Sequence, residues 1–157
     1  MARILIVYHS QTGNTESMAE AVAEGVRAAA AECDLCKADE ADVKLLPEYD
    51  GLILGTATYY GHPAAPLKAF VDATVQHHGS LAGKVGGAFA SCGVLGGGVE
   101  TAVRAMLDAL LIHGMIIQGT ASGGHYGPVS VGAPNEAALK ECRKLGERVA
   151  NLAQKLA

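Results

Sequence analysis

The sequence has no surplus of positive charge: 12 Lys and Arg stand against 16 Asp and Glu, for a formal net charge of −4. Its basic residues are scattered, so neither nucleic acid nor an anionic membrane surface is an expected partner, since both select grouped Lys and Arg. No apolar run approaches the roughly 18 residues of a membrane-spanning helix, and the N-terminus has no secretory-signal pattern. The expected compartment is the cytoplasm. Metal motifs are missing as well. The six histidines show no H-x-x-x-H or H-E-x-x-H spacing and the cysteines no paired C-x-x-C arrangement, so no metal is expected. A soluble chain of 157 residues does not need its four cysteines as staples, and a reducing compartment keeps them as thiols. Cys33 and Cys36 do form one C-x-x-C pair, but in a predicted strand, where positions three apart face opposite ways.

Half of the residues are hydrophobic and 18% are charged, which gives a chain of this length the material for a single domain spanning 1–157. The outlying count is glycine: 20 residues, against a usual share near ~7%. Ile4 to Tyr8 is a β-branched apolar run of the kind buried on both faces of a parallel sheet. Met18, Val22 and Val26 then repeat at helical spacing, with Asn14 or Thr15 as the expected cap. Further strands are predicted at 33–38, 51–55, 84–91 and 115–119. The predicted helices start at Pro66, at about Val99 (ending at His113) and at Asn135 (ending at Leu156). Strands alternating with helices imply right-handed βαβ units and an open, five-stranded parallel sheet covered on both sides. Ligands of such sheets bind beyond the carboxyl ends of the strands, where strand order reverses.

The loops at that edge carry the candidate residues. Ser10, Gln11, Thr12, Gly13, Asn14 and Thr15 join a buried strand to a helix start and offer hydroxyls and backbone N–H groups but no Lys or Arg. They read as a phosphate cradle or as a capped helix start. Neither G-x-x-x-x-G-K-[ST] nor G-x-G-x-x-G is present there, which argues against a nucleoside triphosphate. Thr58, Tyr59, Tyr60 and Gly61 follow the third strand and place two of only seven aromatic residues side by side, suited to stacking on a flat ring or to capping the core. Ser91, Cys92, Gly93, Val94, Leu95 and Gly96 follow the fourth strand, where missing Cβ atoms let backbone approach a ligand. His125 and Tyr126, after the fifth, are candidates for supplying or orienting a proton.

With these loops in order, the sequence resembles the flavodoxin-like FMN proteins, and within them the WrbA-type NAD(P)H:quinone oxidoreductases. Ser10 to Thr15 match the S-x-T-G-N-T phosphate loop; Gly55 to Thr74, the Ser-x-Gly and triple-glycine loop and His113-Gly114-Met115 carry the WrbA likeness. The resemblance implies a doubly wound sheet of order 2-1-3-4-5 and FMN held by phosphate at Ser10–Thr15. Thr58, Tyr59 and Tyr60 would line the isoalloxazine, and Ser91–Gly96 would meet its polar edge. It also implies NAD(P)H as hydride donor, a quinone as acceptor in ping-pong order, and a homodimer or homotetramer. In that family His113 would contact flavin, which here could only be a neighbouring subunit's. The chain departs from the pattern at Thr12, where an aromatic is usual, at His77-His78, and in a short segment between strands two and three. A flavodoxin-type one-electron carrier is the alternative, and such shuttles have a more acidic face than −4 suggests. A flavin-free regulatory module on the same fold is the third class.

Overall fold

The computed structural model describes residues 1–157. Strand β1 (Arg3–His9) leads into helix α1 (Asn14–Ala28) and strand β2 (Glu32–Lys37). A 3-10 turn over Val43–Glu48 precedes β3 (Gly51–Tyr59), which folds back through the short β4 (His62–Pro63) into α2 (Ala65–Ala73). After a second 3-10 turn at Thr74–His77 come β5 (Val85–Cys92), α3 (Val99–Ile112), β6 (Ile116–Ile117), β7 (Val129–Val131) and α4 (Glu136–Leu156).

The sheet order is β2-β1-β3-β5-β6, all parallel, which is the expected order once β4 is recognised as the return arm of a hairpin on β3. The fifth strand differs from expectation. Only Ile116 and Ile117 of the predicted 115–119 pair with β5; the outer half of that edge is supplied by β7, after an excursion over 118–128. Its consequence is a long loop next to the carboxyl ends of the strands.

Strand alternation sends Ile4, Ile6 and Tyr8 to the α1/α4 side and Leu5 and Val7 to the α2/α3 side, so two cores of 19 and 18 buried residues sandwich the sheet. Gly86 and Gly87, one on each side, admit Leu110 and Ile117 from above and Leu145 and Val149 from below. Helices α1 and α4 cross at Gly25 and Gly146, where backbone meets backbone. No helix is long and apolar enough to cross a membrane. From β1 the chain moves first to β2 on one side and then to β3 on the other. The strand order therefore reverses between β1 and β3, and the crevice at their carboxyl ends is where a ligand is expected.

Candidate functional site

The first wall of that crevice is the turn from His9 into α1. Gly13 is the cap residue, at φ 96, and no side chain caps the helix; Asn14 and Thr15, expected as caps, instead lie inside its first turn. The cause is the left-handed turn at Gly13, which carries the chain one residue earlier into the helix. Its N–H donates to Ser10 Oγ at 3.1 Å. The N–H groups of the first helical turn have no intrahelical acceptor and are left for an external one, at the positive end of the helix dipole. Helix α4 has a side-chain cap, Asn135 accepting from the Ala138 N–H at 2.9 Å, whereas α2 and α3 start without one as α1 does; α1 alone begins in a turn rich in hydroxyls. A Cβ on Gly13 would meet no atom within 4 Å, so open space borders the turn. Gln11 and Thr12 are exposed, while Thr15 is only 1% exposed and its Oγ1 lies 2.8 Å from Ser91 Oγ.

The second wall is the β3–β4 hairpin. Tyr60 (φ 50) and Gly61 (φ 77) form a two-residue turn with both φ values positive, the geometry that matches strand twist in tight hairpins. For a bulky residue such as Tyr60 this conformation costs of order 1–3 kcal/mol, a strain typical of functional turns. It leaves the Tyr60 side chain fully exposed. Tyr59 turns back across the crevice, its hydroxyl donating to the Gln11 side-chain carbonyl and its ring centroid 6.5 Å from that of His9. Thr58 donates to the Ser91 carbonyl at 2.8 Å. Beneath it, buried Thr56 accepts from the Ala64 N–H at 2.9 Å and so fixes where α2 begins.

The third wall follows β5. Ser91 and Cys92 are buried, and the chain then emerges over Gly93–Gly96 with Val94 and Leu95 65% and 91% exposed. A Cβ on Gly98 would lie 2.7 Å from the Gly61 Cα, so this wall touches the hairpin directly. Thr101 Oγ1 adds a hydrogen bond to the Gly61 carbonyl at 2.7 Å. Thr56 lies within the Gly55–Thr74 stretch that carries the family likeness, but sequence reasoning did not foresee its bond to Ala64, and it did not single out Thr101, whose signal is a threonine in the first turn of α3. Beside Gly96–Gly98 lies a groove of about 500 Å³ that also involves Glu100, Val129 and Val131.

The structure thus brings Ser10–Thr15, Thr58–Gly61 and Ser91–Gly96 together, joined by the Thr15–Ser91, Thr58–Ser91 and Tyr59–Gln11 contacts. His125 and Tyr126 lie on the 118–128 excursion: His125 Nδ1 is 2.9 Å from the Thr120 carbonyl, and the Arg104 guanidinium sits 5.1 Å from the Tyr126 ring centre. They border a cavity of about 110 Å³ that adjoins the groove beside Gly96–Gly98, with Glu100 and Val129 lining both. His113 is elsewhere, at the far end of α3, roughly 20 Å along the axis from its start. Its ring is buried and its Nε2 is 2.7 Å from Thr74 Oγ1. Since the Thr74 hydroxyl donates to the Val71 carbonyl at 2.6 Å, Nε2 carries the imidazole proton and Nδ1 is left buried without a partner. Burial, reinforced by His78 and His77, holds the His113 pKa below its ordinary value.

The family profile described as Flavodoxin matches residues 6–114. An NAD(P)H dehydrogenase (quinone) from Archaeoglobus fulgidus is 35% identical over 190 aligned positions, covering 99% of this chain and 100% of the relative. The alignment is longer than the 157 residues here, so that relative contains segments this chain lacks. A protein of the same name from Paraburkholderia phymatum is 35% identical, with 99% of each chain covered. The solved structure of a flavodoxin, WrbA-like protein from Agrobacterium tumefaciens superposes with a TM-score of 0.83 at 30% identity, over 100% of both chains. The strand order, the hydroxyl-rich helix start at its reversal point and relatives matching from end to end agree: the chain belongs to the flavodoxin family.

Proposed function

We propose that this chain is an FMN-dependent oxidoreductase that takes hydride from NAD(P)H and then delivers it to a quinone over the same cofactor face. One observation carries the reading: an uncapped helix start with hydroxyl donors and no cationic side chain, tied by a buried hydroxyl pair to the loops that would hold a ring. The donor set fits FMN. Ser10, Thr12 and the first-turn N–H groups of α1 would hold the phosphate, each hydrogen bond to a charged acceptor contributing about 1.5–3 kcal/mol. Thr58, Tyr59 and Tyr60 would line the ring, and the backbone of Gly93–Gly96, where Cβ atoms are missing at both ends, would meet its polar edge.

When bound, FMN supplies the ring system that accepts and donates hydride. The protein's part is placement. Two tyrosines of unequal freedom wall the ring, and the Gly93–Gly96 backbone orients it. The exposed Tyr60, Val94 and Leu95 give donor and acceptor an apolar approach. Quinone as acceptor is supported by the names of the full-length relatives, which also favour an enzyme over a one-electron carrier.

The test is reconstitution with FMN followed by addition of NADH or NADPH and benzoquinone. Turnover without any other protein is the expected result. Flavin uptake with turnover only when a separate reductase is added would make the chain a carrier. No flavin uptake would overturn both readings.

A further inference from the structure

The two adjacent tyrosines of the hairpin are held very differently. Tyr60 stands at the tip, fully exposed, with no side-chain hydrogen bond. Tyr59 is fixed from three directions: its backbone pairs with His62 across the hairpin, its ring leans beside His9, and its hydroxyl donates to the Gln11 side-chain carbonyl. Gln11 belongs to the phosphate turn, 48 positions away in sequence. No other side-chain hydrogen bond joins these two loops directly. Thr15 and Thr58 meet only through Ser91, below the crevice.

We propose that Tyr59 and Gln11 form a clasp over the cofactor crevice, in which Gln11 is a positioning residue that sets Tyr59 against the ring, while Tyr60 is the aromatic free to give way to donor and acceptor. This rests on the FMN reading above. The clasp makes the phosphate turn and the ring wall one unit. With the bond made, Tyr59 is already set when FMN arrives; without it that side chain must be ordered on binding, at about 1 kcal/mol, or roughly fivefold in affinity.

A double-mutant cycle on FMN binding tests it, using Tyr59→Phe and Gln11→Met, with the dissociation constant read from quenching of flavin fluorescence and thermal melting of the FMN-free protein measured alongside. Each single substitution is expected to weaken FMN about fivefold and the double substitution no more than about fivefold, because either change removes the same bond. Melting of the FMN-free variants should fall by no more than about 4 °C, the loss of one exposed hydrogen bond in a domain of this size. Tyr60→Phe should show no coupling to Gln11→Met. The clasp is overturned if neither single change moves the affinity, if the losses multiply to about 25-fold, or if melting falls by more than about 4 °C, which marks a wider structural loss. A parent protein that takes up no FMN overturns the flavoprotein reading itself; a parent that binds while the variants show any of those patterns overturns the clasp alone.

Discussion

Replacing Gly146 with Ala puts a methyl group where α1 and α4 touch. An ideal Cβ there lies 2.1 Å from the Val22 carbonyl oxygen and 2.8 Å from the Val26 nitrogen; the reciprocal position, Gly25, would place one 1.9 Å from the Arg143 carbonyl oxygen. Ordinary contact begins near 3.4 Å, so the helices must separate by about 1 Å in an interior packed as densely as a crystal. Both obstructing atoms are backbone and cannot swing aside. The separation would loosen Val22, Val26, Leu145 and Val149, all at most 3% exposed. Overpacking of this kind costs about 1–3 kcal/mol, against a gain of about 1 kcal/mol for Ala over Gly in a helix. Because the clash is with backbone, the steric loss sits at the upper end of that range, about 2–3 kcal/mol, leaving a net destabilisation of about 1–2 kcal/mol. Melting should fall by about 2–8 °C for a domain of this size, with a lower urea midpoint and an unchanged slope. Gly93→Ala is the control: its Cβ meets nothing within 4 Å and its φ is not left-handed, so melting should hold. A Gly146→Ala protein that melts at or above the parent would mean that α1 and α4 take up the methyl group without separating.

Other outcomes follow from the same geometry. Thr15→Val strands the buried Ser91 hydroxyl and should cost about 1–3 kcal/mol by urea denaturation, with the Thr15→Val/Ser91→Ala double variant less destabilised than the sum of the singles. His113 has its pKa depressed in the fold, chiefly by burial, so the unfolded chain binds its proton more readily. Stability present above the unfolded value near ~6.5 should therefore be lost as pH falls below it toward the depressed value, and His113→Gln should flatten that slope in melting scans between pH 8 and 5. Burial raises the Cys33 and Cys142 thiols to about 11 and about 12. Iodoacetamide at neutral pH should leave both unmodified in intact-mass spectra, and mild oxidant should yield no Cys33–Cys36 disulfide.

Periodicity and β-branched runs made the sheet, the helices and their order legible, because buried parallel strands and two-sided packing leave continuous apolar segments such as Ile4–Tyr8. What stayed hidden was set by geometry rather than composition. The β4 hairpin has only His62 and Pro63 as its return arm, too short for any period. The fifth strand is split, since Val129–Val131 completes an edge that Ile116–Ile117 begins, and local sequence cannot show that two distant fragments share one position. The candidate loops were legible from their glycines and hydroxyls, but the direction of each side chain was not. Thr15 resembles its neighbours in sequence, yet helix phase turns it inward to Ser91. Tyr59 and Tyr60 are identical in type, yet the positive φ at Tyr60 leaves it fully exposed at the turn while Tyr59 reaches Gln11. The glycine excess divides likewise, into loop positions such as Gly13 and Gly93 and packing positions such as Gly25, Gly55 and Gly146, whose Cβ atoms would strike their neighbours.

The claim on which the account turns is that the Ser10–Thr15 turn holds a phosphate. Comparing FMN with riboflavin, which lacks only that group, tests it most directly by titration of the FMN-free protein. Several hydrogen bonds of about 1.5 kcal/mol or more to a charged acceptor predict FMN binding tighter by at least about a hundredfold. Equal affinity for the two flavins would contradict the account.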